Sequence, residues 1–134
     1  MNKWDIMYMD IARRVAEESK CPRAKVGTVI LLESGLLATG LNGFPEGKEE
    51  QWNDGSVSNP LVIHSELNAM GKLLEEGVSC KNATVYITLA PCLECSKLLV
   101  RAKVKRVVYL NSYRCSDGID YLKKYNVLVE KYGG

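Results

Sequence analysis

A chain of 134 residues, 46% hydrophobic and 25% charged, has the size and composition of one soluble globular domain with a core of its own. Its net charge of +2, from 18 basic and 16 acidic residues, excludes the basic stripe of a nucleic-acid polymer binder and the polybasic segment of a membrane anchor. Five cysteines, an odd number, with a polar start MNKWDIMYMD and no run of membrane-spanning length, argue against a secreted disulfide scaffold. They place the chain in a reducing cytoplasm, where thiols are buried apolar groups or metal ligands.

Residues 3–19 set Ile6, Met7, Met9, Ile11 and Val15 at roughly helical spacing, which predicts an amphipathic helix ended by Lys20-Cys21-Pro22. KVGTVILLES, residues 25–34, is β-rich, and GLLATG follows across Ser34-Gly35, so two strands joined by a tight turn are expected. Residues 42–60 collect turn formers and read as a long loop, a kind of segment that is usually functional or mobile. A helix over about 64–76 stops at Gly77, and ATVYITL, 83–89, reads as a strand by alternation and β-branching. PCLECSKLLVRAK, 91–103, opens with Pro in a favoured first-turn position and predicts a helix. KRVVYL is a strand, residues 116–124 a short helix and NVLVE a last strand. Strand and helix alternate from residue 64 onward, which predicts parallel pairing with helices on both faces; the initial hairpin makes the sheet mixed. The expectation is a three-layer α/β/α fold around about five strands. No repeat, low-complexity segment or linker divides the chain, so residues 1–134 are expected to form a single domain.

Two stretches carry chemistry. LVIHSELNAM holds the only histidine, His64, two residues before Glu66, and APCLECSK holds Cys92 and Cys95 at C-x-x-C spacing. Both stand where an extended run feeds a helix. A helix start offers unpaired N–H groups and a positive dipole end, which favour thiolate over thiol. His64, Cys92 and Cys95 would give zinc three protein ligands and leave one tetrahedral position open, as in catalytic sites. Glu66 need not bind the metal; beside an activated water it would move protons to a substrate nitrogen. H-x-E followed by P-C-x-x-C is the signature of zinc-dependent deaminases, with the glutamate as acid/base. The competing readings are a redox C-x-x-C, two core thiols, or a closed structural zinc using Cys80 or Cys115 as fourth ligand.

Beyond the zinc motif, the chain resembles the deoxycytidylate (dCMP) deaminase family, within the cytidine deaminase-like fold. NPLVIHSELNAM, ATGLNGFPEG, SKCPRAKVGTVI and KRVVYLNSYR carry the resemblance, which spans most of residues 11–125. It implies hydrolysis of dCMP to dUMP for pyrimidine deoxynucleotide supply. Deaminases acting on dCTP, on cytidine or deoxycytidine, or on tRNA adenosine are the alternatives, the last disfavoured by the low net charge. The resemblance implies that Asn42 bonds the sugar and base, that the backbone around Ser65 and Ala90 meets the pyrimidine edge, and that Tyr113 borders the nucleotide. Arg23 and Arg114 are the candidates for the 5′-phosphate, since arginine binds such an anion bidentately. One Zn2+ per chain is expected. Cys21 stands at a position that some relatives use for a second, structural zinc, but no second histidine exists and Lys48 stands where their loop often has cysteine. The resemblance further implies a homo-hexamer, dCTP and dTTP as effectors, and Mg2+ with such a nucleotide effector.

Overall fold

The computed structural model describes residues 1–45 and 59–133; Lys48 and most of the predicted long loop lie outside the described residues. In chain order the elements are α1 (Lys3–Glu17), β1 (Gly27–Leu31), β2 (Leu37–Leu41), α2 (Ser65–Glu75), β3 (Thr84–Leu89), α3 (Leu93–Arg101), β4 (Arg106–Asn111), α4 (Asp117–Lys124) and β5 (Leu128–Lys131). Each predicted element is present, with ends shifted by a few residues. The strands form one sheet in the order β2-β1-β3-β4-β5. β1 runs antiparallel to β2 and β3, whereas β3, β4 and β5 are parallel. The mixed five-stranded sheet expected from the hairpin and the later alternation is therefore found.

Alternation along the strands divides the core. Val29, Tyr86 and Val108 meet Met9 and Ala12 of α1 on one face. Ile30, Val85, Ile87 and Val107 meet Ala69 and Leu73 of α2, Leu99 of α3 and Leu122 of α4 on the other. The central strands β1 and β3 are buried on both faces, which is why their sequences are nearly continuous runs of β-branched and aliphatic residues. Burying each large apolar side chain stabilises the fold by roughly 1.5–3 kcal/mol.

The α1 face also holds a polar cluster that the sequence reading did not anticipate. Arg106 Nη1 and Nη2 donate to the two carboxylate oxygens of Asp5 at 2.8 and 3.0 Å, and its Nε donates to Glu130 at 2.7 Å. Tyr86 Oη adds a bond to Asp5 Oδ1 at 2.7 Å. The Arg106 guanidinium, by its hydrogen bonds, outweighs burial and holds the Asp5 carboxyl down to about 2. This ties the first helix to the starting end of β4.

Asp5→Ala should therefore destabilise the protein by roughly 3–5 kcal/mol, because it leaves a half-buried guanidinium short of a partner. The folded-state pKa lies below the ordinary aspartate value of roughly 3.9. The Asp5 contribution is thus complete above about pH 5 and is lost as pH falls through 4 toward 2. Urea unfolding of wild type and Asp5→Ala at pH 7 and pH 3 checks both: the gap between them narrows at the lower pH.

Candidate active site

Two helix starts meet at one edge of the sheet. His64 is the N-cap of α2 in extended backbone (φ −64°, ψ 151°), and Cys92 is the N-cap of α3 (φ −72°, ψ 171°). Neither side chain caps its own helix. The approach to α2 is fixed by a bridge between Gly43 and Ile63 and by Asn68, whose Nδ2 donates to the Leu41 carbonyl at 2.8 Å.

Glycines let both helix starts sit this close. A Cβ on Gly40 of β2 would collide with the Ser65 carbonyl and the Ala69 nitrogen of α2. A Cβ on Gly118 of α4 would collide with the Pro91 carbonyl and come within 2.8 Å of the Cys92 carbonyl carbon and Ser96 Oγ.

His64 Nδ1 lies 3.2 Å from Cys95 Sγ and 3.7 Å from Cys92 Sγ, and the three donor atoms lie within 4.8 Å of one another. A tetrahedral zinc with ordinary Zn–N and Zn–S bonds sets such atoms roughly 3.5–3.8 Å apart. One imidazole and two thiols at this spacing fit that ion. Hydrogen bonds from the Cys95 thiol and then His64 pull the Cys92 thiol down to about 3, while the bond to Cys92 and burial push Cys95 up. The neighbours of Cys92 thus favour its thiolate, the form that binds metal. Among the described residues no fourth His, Cys, Asp or Glu joins the three; Cys80 is buried elsewhere and Cys115 is exposed.

Glu66 follows on the first turn of α2 and is 4% exposed. Burial raises its pKa. Its Oε1 accepts from Ser65 Oγ at 3.1 Å, and Ser65 Oγ is 2.7 Å from Thr28 Oγ1 of β1.

His64, Cys92 and Glu66 line one pocket, together with Asn42, Ser65, Ala90, Tyr113 and Arg23. Of the residues expected there, Cys95 and Arg114 are absent from the lining: Cys95 is buried with its Sγ 3.2 Å from His64 Nδ1, and Arg114 is exposed and stacks over the Tyr113 ring at 5.6 Å. Asn42 does more than face the pocket. Its Oδ1 accepts from Val26 N at 2.9 Å and its Nδ2 donates to the Ala24 carbonyl at 2.7 Å. One N–H and one lone pair then remain for a ligand. The Ala90 N–H is engaged by the Asn111 carbonyl at 2.8 Å, which leaves the Ala90 carbonyl to meet a base. Sequence reasoning missed the apolar part of the lining, Val26, Val62, Ile87 and Leu89, and also Asn59. The β-rich run at 25–34 and the alternation in 83–89 were the available signals, but they specify strands and not which strand ends converge.

Residues 2–111 match the model of the cytidine and deoxycytidylate deaminase zinc-binding region, and the chain belongs to this family of zinc-binding deaminases. It is 34% identical over 140 residues to the deoxycytidylate deaminase of Saccharomyces cerevisiae, covering 96% of this chain and 45% of that one. It is 32% identical to the human deoxycytidylate deaminase, covering 86% of this chain and 69% of the human protein. The chain thus spans about half the length of the yeast relative and a little over two thirds of the human one. The solved dCMP deaminase of cyanophage S-TIM5, in complex with dCMP and dUMP, superposes with a TM-score of 0.88 at 38% identity, covering 98% of each chain.

The glycine contacts make a paired prediction. Gly118→Ala should destabilise by roughly 1–3 kcal/mol through overpacking against the Cys92 turn, and should weaken zinc retention. Gly71→Ala, inside α2 with nothing within 4 Å of an added Cβ, should stabilise by roughly 0.5–1 kcal/mol. Thermal unfolding, with zinc content measured on the same samples, reads both.

Proposed function

We propose that this chain catalyses the hydrolytic deamination of dCMP to dUMP, acting as a single domain over residues 1–134. The observation that carries the reading is the buried Glu66 carboxylate in one pocket with His64 and Cys92, which form with Cys95 a single donor cluster. The likeness to a dCMP deaminase solved with dCMP and dUMP supports this substrate.

His64, Cys92 and Cys95 would hold one Zn2+, which with an open position would supply a water nucleophile at neutral pH. Glu66 would take a proton from the attacking water and deliver it to the ring nitrogen N3 as the oxygen bonds to C4, and would pass the water's remaining proton to the amino group as the C4–N bond breaks and ammonia leaves. Burial raises the Glu66 pKa above the ordinary carboxylate value, the direction that suits a group that takes and returns protons. Asn42 uses its remaining N–H and lone pair on the sugar and base. The backbone around Ser65 and Ala90 meets the pyrimidine edge, and Tyr113 borders the nucleotide. Arg23, on the pocket lining, and Arg114, stacked on Tyr113, hold the 5′-phosphate. The resemblance to the deoxycytidylate deaminases supports a cytoplasmic homo-hexamer with dCTP and dTTP as effectors and Mg2+ accompanying them.

Glu66→Gln should keep one zinc per chain and lose turnover by about a hundred- to ten-thousand-fold. Loss of zinc together with activity would make Glu66 a ligand instead. Turnover of dCMP, deoxycytidine and dCTP by wild type tests the substrate. Replacing Arg23 or Arg114 by Ala removes a charge-assisted bond of roughly 1.5–3 kcal/mol. The KM for dCMP should then rise about ten- to a hundred-fold, with slow turnover of deoxycytidine unchanged. Equal losses on both substrates would make the arginines structural.

A further inference from the structure

The Thr28–Ser65–Glu66 contact has a direction. A serine hydroxyl carries one hydrogen. Ser65 Oγ gives that hydrogen to Glu66 Oε1 at 3.1 Å, so in the 2.7 Å contact between Thr28 and Ser65 the threonine hydroxyl is the donor. The chain of donation runs from Thr28 to Ser65 to the carboxylate. Thr28 is 0% exposed and Ser65 1%.

Neither hydroxyl has a packing reason to be there. Thr28 lies two residues before Ile30 and opposite Ile87 on β1, on the apolar face that receives α2. Valine would fill the same volume without a polar atom, and alanine at residue 65 would fit the helix better. A buried hydroxyl costs about 1–3 kcal/mol unless it is bonded. The register places Gly40 opposite Thr28, and the missing side chain at Gly40 is what admits the start of α2 to the sheet, bringing Ser65 down to Thr28. Adjacent helical residues point away from one another. A Ser65–Glu66 bond therefore requires the glutamate to fold back, and it fixes a side chain with three rotatable bonds in one orientation.

We infer that Thr28 and Ser65 are positioning residues, a buried hydroxyl relay that holds the Glu66 carboxylate in the orientation it needs for proton transfer. The relay rests on the role of Glu66 proposed above. It predicts a defect in the reaction and not in substrate binding, because neither hydroxyl has to touch the nucleotide.

The test uses zinc-loaded full-length protein and dCMP. Ser65→Ala and Thr28→Val should each lower kcat by about ten- to a hundred-fold, the range expected for misplacing a catalytic group. KM should stay within about two-fold, with one zinc per chain. Thr28→Ser keeps the hydroxyl and should retain most of the wild-type kcat. The Thr28→Val/Ser65→Ala double variant should be little worse than Ser65→Ala, because both act through one path. Equal losses in Thr28→Ser and Thr28→Val, additive losses in the double variant, or unchanged kcat in Ser65→Ala would each overturn the relay. Crystal structures of wild type and Ser65→Ala give a readout without substrate: the carboxylate leaves its wild-type orientation if the relay holds it, and keeps it if the relay does not exist. If wild type fails to turn over dCMP, the functional reading falls, and the crystal comparison alone still decides the relay.

Discussion

The architecture depends on two N-cap residues that do not cap. A serine, threonine or aspartate at this position would turn its oxygen onto the helix's own N–H groups. His64 and Cys92 make no such bond. Their side chains point across the gap between helices at one another, so the two helix starts present their donors to one small volume. The exposed N–H groups and dipole ends of α2 and α3 then face the same small volume, an environment that favours anions and thiolates.

Bringing two helix ends together at a sheet edge needs close approach from the flanking elements, and the structure provides it through absent side chains. Gly40 admits α2 to β2, and Gly118 admits α4 to the Pro91–Cys92 turn. On the opposite face of the sheet, Arg106 clamps Asp5 of α1 and Glu130 of β5. The edge that carries the donor cluster is therefore shaped on one layer and the sheet is anchored from the other. The two are joined through β3, whose Tyr86 bonds Asp5 while its neighbour Ile87 lines the pocket.

Much of this was legible from residue spacing. Helical and alternating periods specify elements because burial on one face is a local pattern, and the donor set was legible because histidine occurs once and the two thiols stand three residues apart. The deaminase reading of those residues agrees with the family match. What was not legible depends on partners chosen by strand order and register. Asp5 and Arg106 are 101 residues apart, and Thr28 and Ser65 are 37 apart. No local pattern distinguishes them from surface charges or ordinary strand and helix residues. Asn42 stood out as a residue for the ligand, yet its bonds to Val26 and Ala24 show that it also shapes the backbone wall of the pocket. Loop conformation, which sequence period does not encode, decides such double duty.

The unequal spacing of the three donors has a consequence for how metal and chain equilibrate. Cys92 and Cys95 are neighbours in sequence, whereas His64 is separated from them along the chain by α2 and by β3, which lies in the sheet between β1 and β4. A denatured chain would keep the thiol pair for a soft cation, and the native chain would add the imidazole. Free energy of metal capture is therefore converted into native stability only by the amount the imidazole and the fixed geometry add, since binding to the denatured ensemble subtracts from the linkage.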